Sequence, residues 1–124
     1  MPTQRQQRIN NLLRDEIARI FLRDLDDPHI GFVTITGVEV SPDLRHARVH
    51  VSVLGDAAAK RETMRTLSRA RGFIRGLLQD RLDLRTTPGV FFQLDETAER
   101  AAHLSQVLRE IAEEDSPPDE PTPE

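Results

Sequence analysis

An α+β fold, in which helices cover one face of a small sheet, is predicted by three features of the sequence. Apolar residues recur at helical spacing near the start, and two alternating strand-like runs follow with a turn between them. The second half then reads as a long interrupted helix, a short strand and a last helix.

The first helix spans Thr3 to about Leu25, where Ile9, Leu12, Leu13, Ile17, Ile20 and Phe21 mark one face and arginines lie between them. It must stop by Asp27-Pro28, because proline disfavours helical geometry in the residue before it. "FVTITGVEV" is a strand with Val33 and Ile35 on one face, and after Gly37 the apolar phase moves to Val38 and Val40. A one-residue phase shift at a glycine predicts a β-bulge. "SPDLRH" has turn chemistry, and "ARVHVSVL" points Val49, Val51 and Val53 inward and Arg48, His50 and Ser52 outward. The two strands therefore form an antiparallel hairpin with one wet face.

Gly55-Asp56 supplies a loop and a helix cap, and Ala57 to Leu82 has helical period through Met64, Leu67, Phe73, Ile74, Leu77 and Leu78. Gly72 and Gly76 fall inside it. Each costs roughly 1 kcal/mol relative to alanine in a helix interior, so the pair predicts a bend or a close backbone contact. "RTTPGV" ends the helix, "VFFQLD" from Val90 is the third strand, and Glu96 to Glu113 form a last helix through Ala101, Leu104, Leu108 and Ile111. The final segment, 115–124, is acidic, rich in proline and devoid of apolar residues, and is expected to be a disordered tail on a domain spanning 1–114.

Charge is segregated along the chain. Residues 1–94 carry 15 Lys and Arg against 11 Asp and Glu, whereas residues 95–124 carry 2 against 10. The net charge of -4 thus conceals a mildly basic folded part, whose only lysine is Lys60. Such asymmetry points to nucleic-acid contact through the basic portion. The absence of cysteine removes disulfides, thiolate metal sites and cysteine nucleophiles, and fits a cytoplasmic chain. No run approaches the ~18 apolar residues of a membrane span. Carboxylates cluster as Asp24, Asp26 and Asp27 and as Asp95, Glu96 and Glu99. No nucleophile or metal spacing accompanies them, so the first group is expected to face water and the second to favour a helix start. His46 and His50 fall on the hairpin, and neither they nor His29 and His103 have metal spacing. The five phenylalanines are the only aromatic residues besides histidine, at positions that mostly read as buried. A reader of nucleic-acid shape and backbone is therefore expected rather than one that stacks splayed bases.

The element order resembles the type II K-homology fold: helix, strand, strand, kinked helix and strand, with an added C-terminal helix. "DPHIGFVTITGVEVSPDLRHARVHVSV" and "ARGFIRGLLQDRLDLRTTPGVFFQLDET" resemble the ribosome-binding factor A family across roughly Arg5 to Val107. In that family an Ala-x-Gly kink replaces the Gly-x-x-Gly loop of ordinary K-homology domains, and Ala70-Arg71-Gly72 stands at the corresponding place. The resemblance implies that Gly72 marks the break between two helices and that Gly76 permits close packing. A bulky β-branched residue at Gly72 is then expected to strain the fold.

The family likeness also implies a non-enzymatic protein without cofactor or metal, acting as a monomer. It would bind free small ribosomal subunits and their rRNA, beside other assembly factors, aid late maturation and rRNA processing, and matter most in the cold. Arg65, Arg69, Arg71 and Arg75 are the leading candidates for holding RNA phosphates. Arg65, Arg69 and Arg75 lie broadly together on a continuous helix. Arg5, Arg8, Arg45, Arg48, Arg81 and Arg85 are weaker ones. The alternative function is a protein-interaction adaptor on the same fold, binding through the sheet edge or the last helix without RNA. A small enzyme built on the carboxylates has no catalytic constellation to support it.

Overall fold

The computed structural model describes residues 1–115. Its elements are α1 (Gln4–Arg23), β1 (Val33–Val40), β2 (His46–Val53), α2 (Ala57–Arg69), α3 (Arg71–Arg81), β3 (Gly89–Leu94) and α4 (Thr97–Asp115), in the order read from the sequence. All but the first residue of the expected acidic tail lies outside the described residues.

Thr3 opens α1 with a capping box, its hydroxyl accepting from the Gln6 amide while the Gln6 side chain accepts from the Thr3 amide. The helix lays Leu13, Ile17 and Ile20, all fully buried, on the sheet. Two polar side chains fix its register. Asn10 Oδ1 accepts from the Val40 amide at 2.8 Å, and Gln6 Nε2 donates to the Val40 carbonyl at 3.3 Å. They satisfy the backbone of β1 where no further strand pairs with it.

β1 and β2 are antiparallel, from Val33 opposite Val53 to Val40 opposite Ala47. The register shifts between Ile35 and Gly37, so Thr36 is the extra residue of the bulge that the phase change predicts. β3 pairs in parallel with β2, giving the order β1-β2-β3, and α2 and α3 form the crossover. Asp56 caps α2 by accepting from the Ala59 amide at 2.8 Å. Gly55 beside it has φ +138°, where a side chain is strained, and a Cβ there would lie 3.0 Å from Ala59 Cβ. The core is formed by Val38, Val40, Ala47, Val49, Val51, Val53 and Val90 against the apolar faces of α1, α2 and α3. The opposite face of the sheet is open, with Thr34, Glu39, Arg48, Phe91 and Gln93 exposed.

The break in the crossover falls at Ala70, not at Gly72. Ala70 has φ −84° and ψ 0°, and its amide is shared between the Thr66 and Leu67 carbonyls at 3.1 Å each. A last turn tightened in this way is accessible to any residue, so the break needs no glycine. Gly72 and Gly76 lie within α3 itself, and a Cβ at either meets nothing within 4 Å. The strain expected for a side chain at Gly72 and the close packing expected at Gly76 are therefore both absent.

Among the described residues, the ion pairs and hydrogen bonds that join α4 to α2 and the sheet lie at its start. Lys60 on α2 pairs with Glu99 and, at 3.4 Å, with Glu96. Asp95 accepts from the Thr36 hydroxyl at 2.7 Å and the Thr97 amide at 2.9 Å, joining the bulge of β1 to the first turn of the helix. Further along, the apolar stripe of Leu104, Leu108 and Ile111 is exposed.

Candidate nucleic-acid interface

The break at Ala70 sits beside β3, the outer strand on that side, because α2 and α3 both pack against it. Arg65 and Arg69, one turn apart on α2, line a common hollow with Thr66, Asp27, His29 and Glu62. Arg71, the first residue of α3, passes to the open face of the sheet. Its guanidinium carbon lies 4.8 Å from the centroid of the Phe91 ring. In the β-ladder Arg48 stands directly between Glu39 and Phe91, with its side chain on the same open face. The interruption thus places guanidiniums on both sides of it and continues them onto the sheet.

The structure does not bring all ten candidate arginines together. Arg75 leaves the group, donating through Nε and Nη2 to the Thr87 carbonyl at 3.3 and 3.2 Å, which ties α3 to the loop before β3. The face that Arg65, Arg69 and Arg75 would share on a continuous helix is divided by the break. Arg5, Arg8 and Arg85 border a separate hollow beside the hairpin turn, with Asp43 and Asp83 among its walls. Arg45 lies in that turn, its amide bonded to Asp43 Oδ1 at 3.1 Å. Arg81 is committed elsewhere. Its guanidinium grips Asp24 at 2.7 and 3.0 Å and reaches the largely buried Glu16 at 3.5 Å, locking α3 to α1.

That network also revises the carboxylates. Asp24 does not simply face water, since the hydrogen bond from Arg81 holds its pKa below the usual carboxylate value. Asp27 is likewise lowered, chiefly by the His29 amide it accepts from. Asp95 is pushed down to about 2 by hydrogen bonds from the Thr97 and Thr36 hydroxyls and the Thr97 amide. All three are lowered by hydrogen bonds that hold the fold, and these carboxylates stay ionised near neutral pH. Among the described residues no cluster of metal-ligating side chains is found, and no helix is long and apolar enough to cross a membrane.

Arg65, Arg69, Arg48, Arg5, Arg8, Arg45, Arg71 and Arg85 form no ion pair among the described residues, whereas Arg14, Arg19 and Arg81 do. Guanidiniums that form no ion pair around a helix break and an open sheet make a surface suited to phosphate oxygens.

Sequence reasoning missed which aromatic residues are exposed. Phe32, Phe73 and Phe91 are 80, 52 and 44% exposed, against the expectation that the phenylalanines are mostly buried. Phe21 and Phe92 do pack inward, their ring centroids 5.9 Å apart. The signal was present at Phe91-Phe92: neighbours in a strand point to opposite faces, so on a sheet covered on one side only one of them can be buried.

The ribosome-binding factor A family model matches residues 5–108. A ribosome-binding factor A from Halothermothrix orenii is 44% identical over 115 residues, covering 93% of this chain and 94% of the relative. The solution structure of a Thermotoga maritima ribosome binding factor A superposes with a TM-score of 0.66 at 34% identity, over 75% of this chain and 89% of that one. A homology model of Thermus thermophilus ribosome binding factor A, fitted into an electron cryomicroscopy map of a complex of that protein with 30S, has a TM-score of 0.55 at 23% identity. That likeness covers 77% of this chain and 96% of the other.

Proposed function

We propose, from the premise that this chain belongs to the ribosome-binding factor A family, that it is a non-enzymatic factor which binds the free small ribosomal subunit through its rRNA and assists late maturation and rRNA processing. The observation that carries the RNA contact is the run of unpaired arginines, Arg65, Arg69, Arg71 and Arg48, passing from the helix break onto the open sheet. Their charge-assisted bonds hold phosphates and so favour one rRNA conformer over others. The protein acts as a monomer in the cytoplasm, needs no cofactor, and is required most in the cold, where misfolded RNA escapes slowly. Gly72 and Gly76 support the same reading. Nothing among the described residues requires them to lack a side chain, and the open space above them lets a partner's backbone approach the helix.

The test is gradient sedimentation of the tagged protein in bacterial lysate at low and moderate salt. Comigration with free small subunits that is lost on raising salt is the expected result. A protein that stays at the top of the gradient in every condition, cold-grown cells included, would refute the reading.

A second reading, a protein-interaction adaptor, is favoured by one observation. The stripe of Leu104, Leu108 and Ile111 on α4 is uncovered, and a protein partner could bury it. Retention on subunits after all three are changed to serine would exclude that reading as the basis of subunit binding.

A further inference from the structure

We infer that Phe91 is a stacking platform for one unpaired nucleobase of the RNA, with Arg71 and Arg48 holding the flanking phosphates. This rests on the RNA-binding reading above and adds to it a base-sized subsite on the open sheet.

Phe91 lies on the uncovered face of β3, where the alternation of the strand calls for a polar residue, and it remains 44% exposed. It is not an isolated apolar residue. The His46 ring centroid is 5.7 Å from that of Phe91, and the planar guanidinium of Arg71 sits at 4.8 Å. Gly89, two residues earlier on the same face, lies against the ring, where an added Cβ would make ordinary van der Waals contact with Phe91 Cε2 at 3.7 Å. The ring borders a shallow hollow whose other walls are Glu39, Val40, Ser41, His46 and Arg48.

The chemistry of these walls separates a base from a phosphate. Glu39 is held by His50 Nε2 at 2.8 Å and puts a carboxylate at the hollow, which repels a phosphate and accepts from the amino edge of a base. Arg71 stands over one face of the ring and is not a wall of the hollow, whereas Arg48 is. A base seated in the hollow would stack on the face that Arg71 leaves free and place its neighbouring phosphates near the two arginines. A π-face ringed by cations and imidazole is how single-stranded nucleic acid is gripped without reading a sequence. Such a platform departs from the expectation of a shape reader that makes no stacking contact.

The chain has neither tryptophan nor tyrosine, so Phe91→Trp installs its only indole at the platform. That variant in the full chain is titrated at low salt with a short single-stranded oligoadenylate and with an abasic ribose-phosphate strand of equal length. Quenching of the indole by oligoadenylate but not by the abasic strand is expected. In parallel, Phe91→Leu should weaken oligoadenylate binding, measured by anisotropy, roughly fivefold to a hundredfold, and leave abasic binding unchanged. The residue is exposed, and a thermal melt confirms that both variants fold. Binding of oligoadenylate without quenching, and with equal affinity for Phe91→Leu, would overturn the platform while leaving RNA binding intact. If neither the wild-type protein nor Phe91→Trp binds either strand, the platform and the RNA reading fall together.

Discussion

Three glycines, one read as a loop residue and two as helix interruptions, separate once each is asked what a Cβ would meet. Gly55 has φ +138° and a neighbour, Ala59 Cβ, only 3.0 Å from the position a side chain would take. Gly55→Ala should therefore destabilise the protein by about 1–3 kcal/mol, read from urea unfolding, because strain and contact act together. Gly72 and Gly76 are the reverse case, lying in α3 with nothing within 4 Å. Gly72→Ala should stabilise by roughly 0.5–1 kcal/mol through the unfolded chain and the helix propensity of alanine. If the same variant also weakens binding to small subunits, the glycine serves the approach of a partner. A stability loss would instead restore the strain that the sequence alone implied. The sequence could not distinguish a glycine that is required from one that is not, since helical period locates a residue on a helix but not the neighbours it would touch.

At the level of elements, the pattern of the sequence was informative wherever a periodicity was tied to a single buried face. The phase change after Gly37 located the bulge, because one inserted residue must move every later side chain to the other face. The helix interruption falls within the Ala70-Arg71-Gly72 kink, at its first residue and not at its glycine, since its cause is a tightened turn at Ala70 rather than glycine freedom. α4 was predicted correctly as a helix, yet its amphipathic stripe gave no hint that it would be left uncovered, because period reports a face and not its partner. What joins α4 to the sheet is Asp95, and its titration gives a test. The folded pKa of about 2 lies below the ordinary carboxylate value of about 3.9, so the stabilisation it contributes is fully present above pH ~4. It is lost as pH falls through about 2. The wild-type melting temperature should fall across this window more steeply than that of Asp95→Asn, whose side chain does not titrate. Parallel pH profiles for the two proteins would show that the Thr36 and Thr97 hydrogen bonds carry no linked stability.

For the whole molecule, the decisive quantity is how the arginines divide between holding the fold and facing outward. Composition could show only that residues 1–94 are mildly basic, because the pairing of a guanidinium depends on tertiary neighbours far away in sequence. Arg81 and Asp24 are one such pair, joining α3 to α1, whereas Arg65 and Arg69 face a hollow without an ion pair. These two groups should respond oppositely. Arg65→Gln and Arg69→Gln should leave the melting temperature nearly unchanged and weaken small-subunit binding. The slope of log affinity against log salt should become shallower by about 0.7–0.9 for each phosphate no longer neutralised. Arg81→Gln should lower the melting temperature by releasing Asp24 and the largely buried Glu16, while the salt slope stays that of the wild type. Measuring both quantities on the three variants separates interface from scaffold. A wild-type slope for Arg65→Gln and Arg69→Gln, with a shallower one for Arg81→Gln, would move the RNA surface from the helix break to the junction of α1 and α3.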